Sequence, residues 1–233
     1  MQTRRVKKHR LRKRNRHVSM SASTCRCGRC RLAAKPASIF CKKHQHCAGS
    51  PMSGDEPAYR PDRYNHNPLI RRTHNCWSYG MNVIDPTQLT QCEGGTKDNC
   101  ELMYHQPGGT KGLDRILQNA SGRTCKVVRR LIREDVPDIR RTTFTRRCPA
   151  KYSKIALVVH PEQDYHFYRQ DSDGWWSHKD GSNEVKRFDA DGQPIWNPRT
   201  AKRDYRPKGS FLNYKDFCGF YCVPRRRTIK LAR

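Results

Sequence analysis

Acidic residues are what this chain lacks where it begins. No Asp or Glu occurs before Asp55, whereas Arg4, Arg5, Lys7, Lys8, Arg10, Arg12, Lys13, Arg14 and Arg16 crowd the first turns of the sequence. Charge of one sign with little to bury does not offset the entropy of ordering, so residues 1–24 read as a basic arm that orders only against a partner. Apolar residues are scarce too, at 34% of 233. That excludes a chain that is core throughout and points to one modest globular domain with long basic extensions. No apolar run approaches the ~18 residues of a membrane span, and the N-terminus lacks the apolar stretch of a signal peptide, so the expectation is synthesis in a cytosol. The net charge of +27 favours nucleic acid, an acidic protein surface or an anionic membrane face, in a salt-dependent way.

Cysteine, by contrast, is abundant. Twelve cysteines are many for a cytosolic protein, and those that cluster are read first as metal ligands. Cys27-x-x-Cys30 and Cys41-x-x-His44 are two chelating pairs joined by a short connector, as tetrahedral zinc requires. Cys25 is an alternative to Cys27, and His46 or Cys47 to His44; a pair of disulfides is the competing use. Residues 25–47 are too few to fold by burial alone, so a zinc-knuckle-like segment would draw its folding energy from the ion. The scattered Cys92, Cys100, Cys125, Cys148, Cys218 and Cys222 are read as thiols or disulfides, with their pairing open.

Residues 48–68, rich in Pro, Gly, Asn and Ser, read as a linker, and residues 69–223 as the globular domain. Asn75 is placed to cap a helix whose apolar positions are Trp77, Met81 and Ile84. Residues 85–112 carry loop signals, and LDRILQNA and CKVVRRLIRE between Gly112 and Arg133 have helical periodicity, the second with a basic outer face. The centre of the domain is Tyr152–Gly181. There Ile155–Val159, Tyr165–Gln170 and Trp175–Lys179 are strand-like runs separated by turn residues, a three-stranded antiparallel meander. Alternation places His166, Tyr168 and Gln170 on one face and Tyr165, Phe167 and Arg169 on the other. Val185–Trp196 reads as a hairpin turning at Asp191-Gly192, Phe211–Val223 as an edge strand or strap, and residues 224–233 as a basic tail. The fold class is therefore α+β, with a helix on a small antiparallel sheet.

A cysteine in the first turn of a helix has its thiolate favoured by the helix N-terminus. With a strand histidine later in the chain, this is a cysteine-hydrolase arrangement: Cys76 as nucleophile, His166 as base, and His178 or Gln170 as the group that orients the imidazole. A small buried cysteine and a packed histidine are the structural uses of the same residues.

The helix start Asn75-Cys76-Trp77-Ser78-Tyr79 with the strand histidine resembles the NlpC/P60 and CHAP amidases and peptidases. That resemblance implies a papain-like helix on an antiparallel sheet, and amide hydrolysis. The glycine that commonly accompanies the histidine strand of those families is absent before His166. Over most of the chain, the order of FCKKH, SPMSGDEPAYRPDRYN, RRTHNCWSYGMNVID, DYHFYRQDSDGWWSHKDG and FLNYKDFCGFYCVPR resembles an uncharacterised family of large and giant DNA viruses. It implies a virion protein made in the host cytoplasm, a minor capsid or internal component whose basic arms bind acidic capsid proteins or DNA. The alternatives are the papain-like hydrolase and a non-specific nucleic-acid-binding protein.

Overall fold

The computed structural model describes residues 49–225 and 229–232, apart from 96 and 102, and these belong to the unit Ala48–Arg233. The basic arm and the expected zinc ligands Cys25, Cys27, Cys30, Cys41, His44 and Cys47, with His46, lie outside the described residues.

The unit is α+β, as its sequence pattern requires. Its six strands are β1 (Arg140–Thr142), β2 (Tyr152–His160), β3 (Asp164–Gln170), β4 (Trp176–Lys179), β5 (Val185–Lys186) and β6 (Asp216–Pro224). They form one sheet in the order β1-β6-β2-β3-β4-β5 with antiparallel neighbours. β2, β3 and β4 are the expected meander. β6, expected at an edge, instead runs between β1 and β2. The reason lies in its side chains: Tyr221 and Val223 bury on one face of the sheet and Phe220 on the other, and a strand apolar on both faces is stable only in the interior.

Six helices precede or flank the sheet: α1 (Asp62–Asn65), α2 (Pro68–Thr73), α3 (Cys76–Met81), α4 (Pro86–Cys92), α5 (Lys97–Glu101) and α6 (Cys125–Asp135). α4 and α5 occupy the stretch expected to be loop, and Asp114–Gln118 forms a 3-10 turn. α3 and α6 cover one face of the sheet, where Trp77, Leu131 and Ile132 pack with Leu157, Val159, Phe167 and Val223. The Trp77 and Phe167 rings are 5.0 Å apart. α3 approaches so closely that a Cβ at Gly80 would lie 3.3 Å from Cβ of Phe167. The opposite face packs Ala156, Val158, Tyr168, Trp176 and Phe220 under Ile195 and Tyr214, so the long connection before β6 serves as its cover.

The caps follow from local chemistry. Asn75 Oδ1 accepts from the backbone N–H groups of Trp77 and Ser78, satisfying two donors of the first turn of α3. At the other end Asn82 takes a left-handed conformation, φ 60°, which stops the helix before Ile84. Arg225, expected at the start of a basic tail, is turned inward. Its guanidinium donates to the carbonyls of Gly80 and Met81 at 2.9 and 2.8 Å and to Ser153 Oγ at 2.6 Å, fixing the C-terminus of α3. The expected linker also packs: Ser50 donates to Gln170 Oε1 at 3.1 Å and accepts from Lys154 Nζ at 2.5 Å.

Six of the described cysteines pair as Cys92–Cys100, Cys125–Cys218 and Cys148–Cys222. Two of these bonds hold β6, one to α6 and one to the segment after β1. A cross-link stabilises in proportion to the logarithm of the loop it closes, so the bridges spanning 93 and 74 residues outweigh the one spanning 8; the entropic scale gives ~4.5 against ~2.5 kcal/mol. Paired Cys→Ser replacement at 125 and 218 is accordingly expected to lower unfolding stability by about 2–5 kcal/mol, and by more than the pair at 92 and 100. Urea unfolding of the two variants checks the ranking.

His74 closes the α2–α3 junction. Its Nδ1 donates to Thr73 Oγ1 at 2.8 Å and its Nε2 accepts from the Asp85 backbone N–H at 2.9 Å, a neutral ring satisfied on both sides. Burial lowers its pKa from 6.5 to about 4, against the pull of the Ile70 carbonyl; Lys179 and His105 lower it further and Asp85 raises it. Between those two values the unfolded chain binds more protons than the folded one, so this contribution is complete above 6.5 and is lost as pH falls toward 4. A His74→Gln variant is expected to lose less stability over that window than the parent, read from urea midpoints at the two ends.

Candidate functional site

The strand register assembles the site. Val158 pairs with His166 and Tyr168 with His178, so His166 and His178 point to the same face as diagonal neighbours, two register positions apart across β3 and β4. Asp180, just past β4, has the parity of His178 and joins them. His166 Nε2 lies 2.8 Å from His178 Nδ1 and 3.2 Å from Asp180 Oδ1, and His178 Nδ1 is 3.0 Å from that same oxygen. The cluster is held from behind. His178 Nε2 donates to the Phe188 carbonyl at 3.0 Å, and Lys186 Nζ sits 2.5 Å from Asp180 Oδ2. Tyr168 and Tyr214 ring centroids lie 5.2 Å from that of His166.

The electrostatics are those of a buried group of donors and acceptors. Burial lowers the His166 pKa to about 3, outweighing Asp180, so its ring is neutral near pH 7 and its contact with Asp180 is a hydrogen bond. For Asp180, burial raises the carboxyl, but His178, His166 and Lys186 together hold it well below the usual carboxylate range. His166 and Asp180 form part of the wall of an open cleft of about 710 Å³, which Cys76, Tyr104, Asp164 and Tyr214 also line.

Cys76 and Gln170, the other residues of the expected hydrolase site, have their hydrogen bonds elsewhere. Tyr165 and Phe167 pack toward α3, so strand alternation turns His166 to the far face. The Cys76 S–H donates to the Tyr165 carbonyl at 3.9 Å, and no hydrogen bond joins the sulfur to either imidazole among the described residues. Burial pushes this thiol's pKa far up and Asp164 adds to it, against the smaller pull of the Phe167 backbone. Gln170 accepts from Ser50 Oγ and donates to the Ser50 carbonyl at 2.6 Å, so it does not orient His166; Asp180 does. Asp180 and Lys186 were missed because the sequence shows them only as turn and hairpin charges. The parity of His178 and Asp180 was the available signal.

A second feature is electrostatic. α6 buries Val128, Leu131 and Ile132 and turns Lys126, Arg129, Arg130 and Arg133 outward. With Arg141 of β1 and Tyr221 of β6 they line a groove of about 670 Å³ in which Glu134 is the carboxylate.

No model of a known protein family matches the chain, and no solved structure matches it. Its sequence is 34% identical over 170 residues to insoluble matrix shell protein 1 of Ruditapes philippinarum, an alignment covering 72% of this chain and 92% of that protein. That relative is named for the matrix of a shell and not for a viral particle. The expectation of a giant-virus virion protein, a minor capsid component made in a host cytoplasm and located in the particle, is thereby overturned.

A buried thiol with a raised pKa makes a specific demand on reactivity. In the folded protein near pH 7, Cys76 is expected to react with iodoacetamide at least ~100-fold more slowly than after unfolding in urea without reductant. Peptide mass spectrometry over time measures this, and labelling in the native state at the rate of a free thiol would mean that the sulfur is exposed and activated.

Proposed function

Because the chain belongs to the family of insoluble matrix shell protein 1, we propose that it is a disulfide-stapled structural protein of an insoluble extracellular shell matrix. The observation that carries this reading is the extent of the relationship, 92% of the relative's length at 34% identity. The chemistry of the fold is in keeping with it. Three disulfides among the described cysteines suit an oxidising compartment, and two of them lock β6, the strand inserted between β1 and β2.

Within such a matrix the groove of α6 and β1 is the docking surface for an anionic polymer. Five cations surround one carboxylate there, a field that concentrates polyanions and weakens as salt screens it. The zinc-knuckle-like segment over Cys25–Cys47 and the papain-like layout belong to this reading as structural elements. The layout has in its favour that α3 starts at Cys76 and packs on β3.

Two measurements test the reading. After acid dissolution of the mineral, the protein is expected in the insoluble organic residue by mass spectrometry, and recovery from cell lysate alone would remove the assignment. Independently, the full chain is expected to bind polyaspartate with an affinity that falls as salt rises, and an R130E/R133E variant to bind at least about tenfold more weakly, ~1.4 kcal/mol. Unchanged affinity in that variant places the polymer elsewhere.

A further inference from the structure

We propose that His166 Nε2, His178 Nδ1 and Asp180 Oδ1 form a binding site for a divalent transition-metal ion of the zinc type. The three atoms make a nearly equilateral triangle with sides of 2.8, 3.0 and 3.2 Å. An ion at the ~2.1 Å distance that nitrogen and carboxylate ligands take on zinc sits about 1.2 Å above that triangle as it stands, and nearer its plane once the ligands spread by a few tenths of an ångström.

The hydrogen bonding of the cluster converges on one point. His178 Nε2 donates to the Phe188 carbonyl, which directs Nδ1 at Asp180 Oδ1 and His166 Nε2, 3.0 and 2.8 Å away. A proton joins these atoms only pairwise; a cation engages all three at once.

The surroundings are those of a metal site. A backbone carbonyl orients one imidazole and Lys186 holds the second oxygen of the carboxylate, the outer partners that fix ligand tautomer and direction. His166 and Asp180 face the cleft, which leaves a fourth position for water or a small anion. Two nitrogens and one oxygen select zinc or copper over calcium, which takes six to eight oxygens. The inference is independent of the matrix reading, since it rests on the triangle and its backing alone.

The experiment uses the full oxidised chain, stripped with chelator and titrated with Zn²⁺. Long-range ¹H–¹⁵N spectra of the imidazoles are expected to shift at the ring nitrogens of His166 and His178, with no such change on adding Ca²⁺. A chain carrying Cys27→Ser and Cys30→Ser, which disables the thiol-rich segment, is expected to keep this response. In calorimetry on that background, H178Q is expected to bind Zn²⁺ more weakly by more than the roughly 10–100-fold that loss of an outer partner costs. Because H178Q disturbs a buried position, its fold is checked by circular dichroism, and the spectra of the unsubstituted rings stand without it. Zinc that leaves the nitrogens of His166 and His178 unmoved in the folded chain overturns the proposal and leaves a hydrogen-bonded cluster around one shared proton.

Discussion

The placement of β6 between β1 and β2 is the constraint on which the rest of the unit depends. This strand comes late in the chain, yet it is inserted inside the sheet between β1 and β2. Until it docks, β2 lacks one partner along its whole length, β1 has none in the sheet, and the carbonyls at the end of α3 lack Arg225. Closing contacts across such sequence separations is entropically costly. The bonds from Cys218 to Cys125 and from Cys222 to Cys148 lower that cost by restricting the unfolded chain at the strand that closes last in sequence. The structure therefore concentrates its covalent reinforcement where its topology is weakest.

The same topology divides polar function between two places. On the helix-covered face, Arg169 is buried with Asp171 at 2.9 Å and over the Tyr79 ring at 4.0 Å, and its other partners are structural. Removing one member of such a pair leaves an uncompensated buried charge, so these groups hold the α3–sheet interface. On the opposite face the histidine cluster reaches the wall of an open cleft. The basic side of α6 lies outside both, where its charges remain hydrated and available to an anionic polymer.

Much of the fold was legible in the sequence. The meander, the face on which each of its side chains lies, the Asn75 cap and the amphipathic α6 follow from periodicity and side-chain chemistry that operate within a few residues. The turn at Asp191-Gly192 was legible too: Gly192 takes φ 76°, a conformation glycine adopts without strain. The edge assignment of β6 failed because strand periodicity reports which faces are buried but not which neighbours supply the burial. Arg225 was read as part of a basic tail because a run of arginines reads as surface; only the open carbonyls of Gly80 and Met81 at the end of α3 draw its guanidinium inward. The virion role failed because an order of motifs along a chain does not state where a protein is used.

The sequence by itself determined the class of fold, the histidine-bearing face of β3 and the basic character of α6, because alternation and helical period are local properties of the backbone. Only the tertiary structure decided that His166 meets both His178 and Asp180, and that the Cys76 thiol bonds the Tyr165 carbonyl. That choice depends on the register between β3 and β4 and on the side of the sheet to which α3 packs. Both are set by burial across distant segments, which no local pattern records.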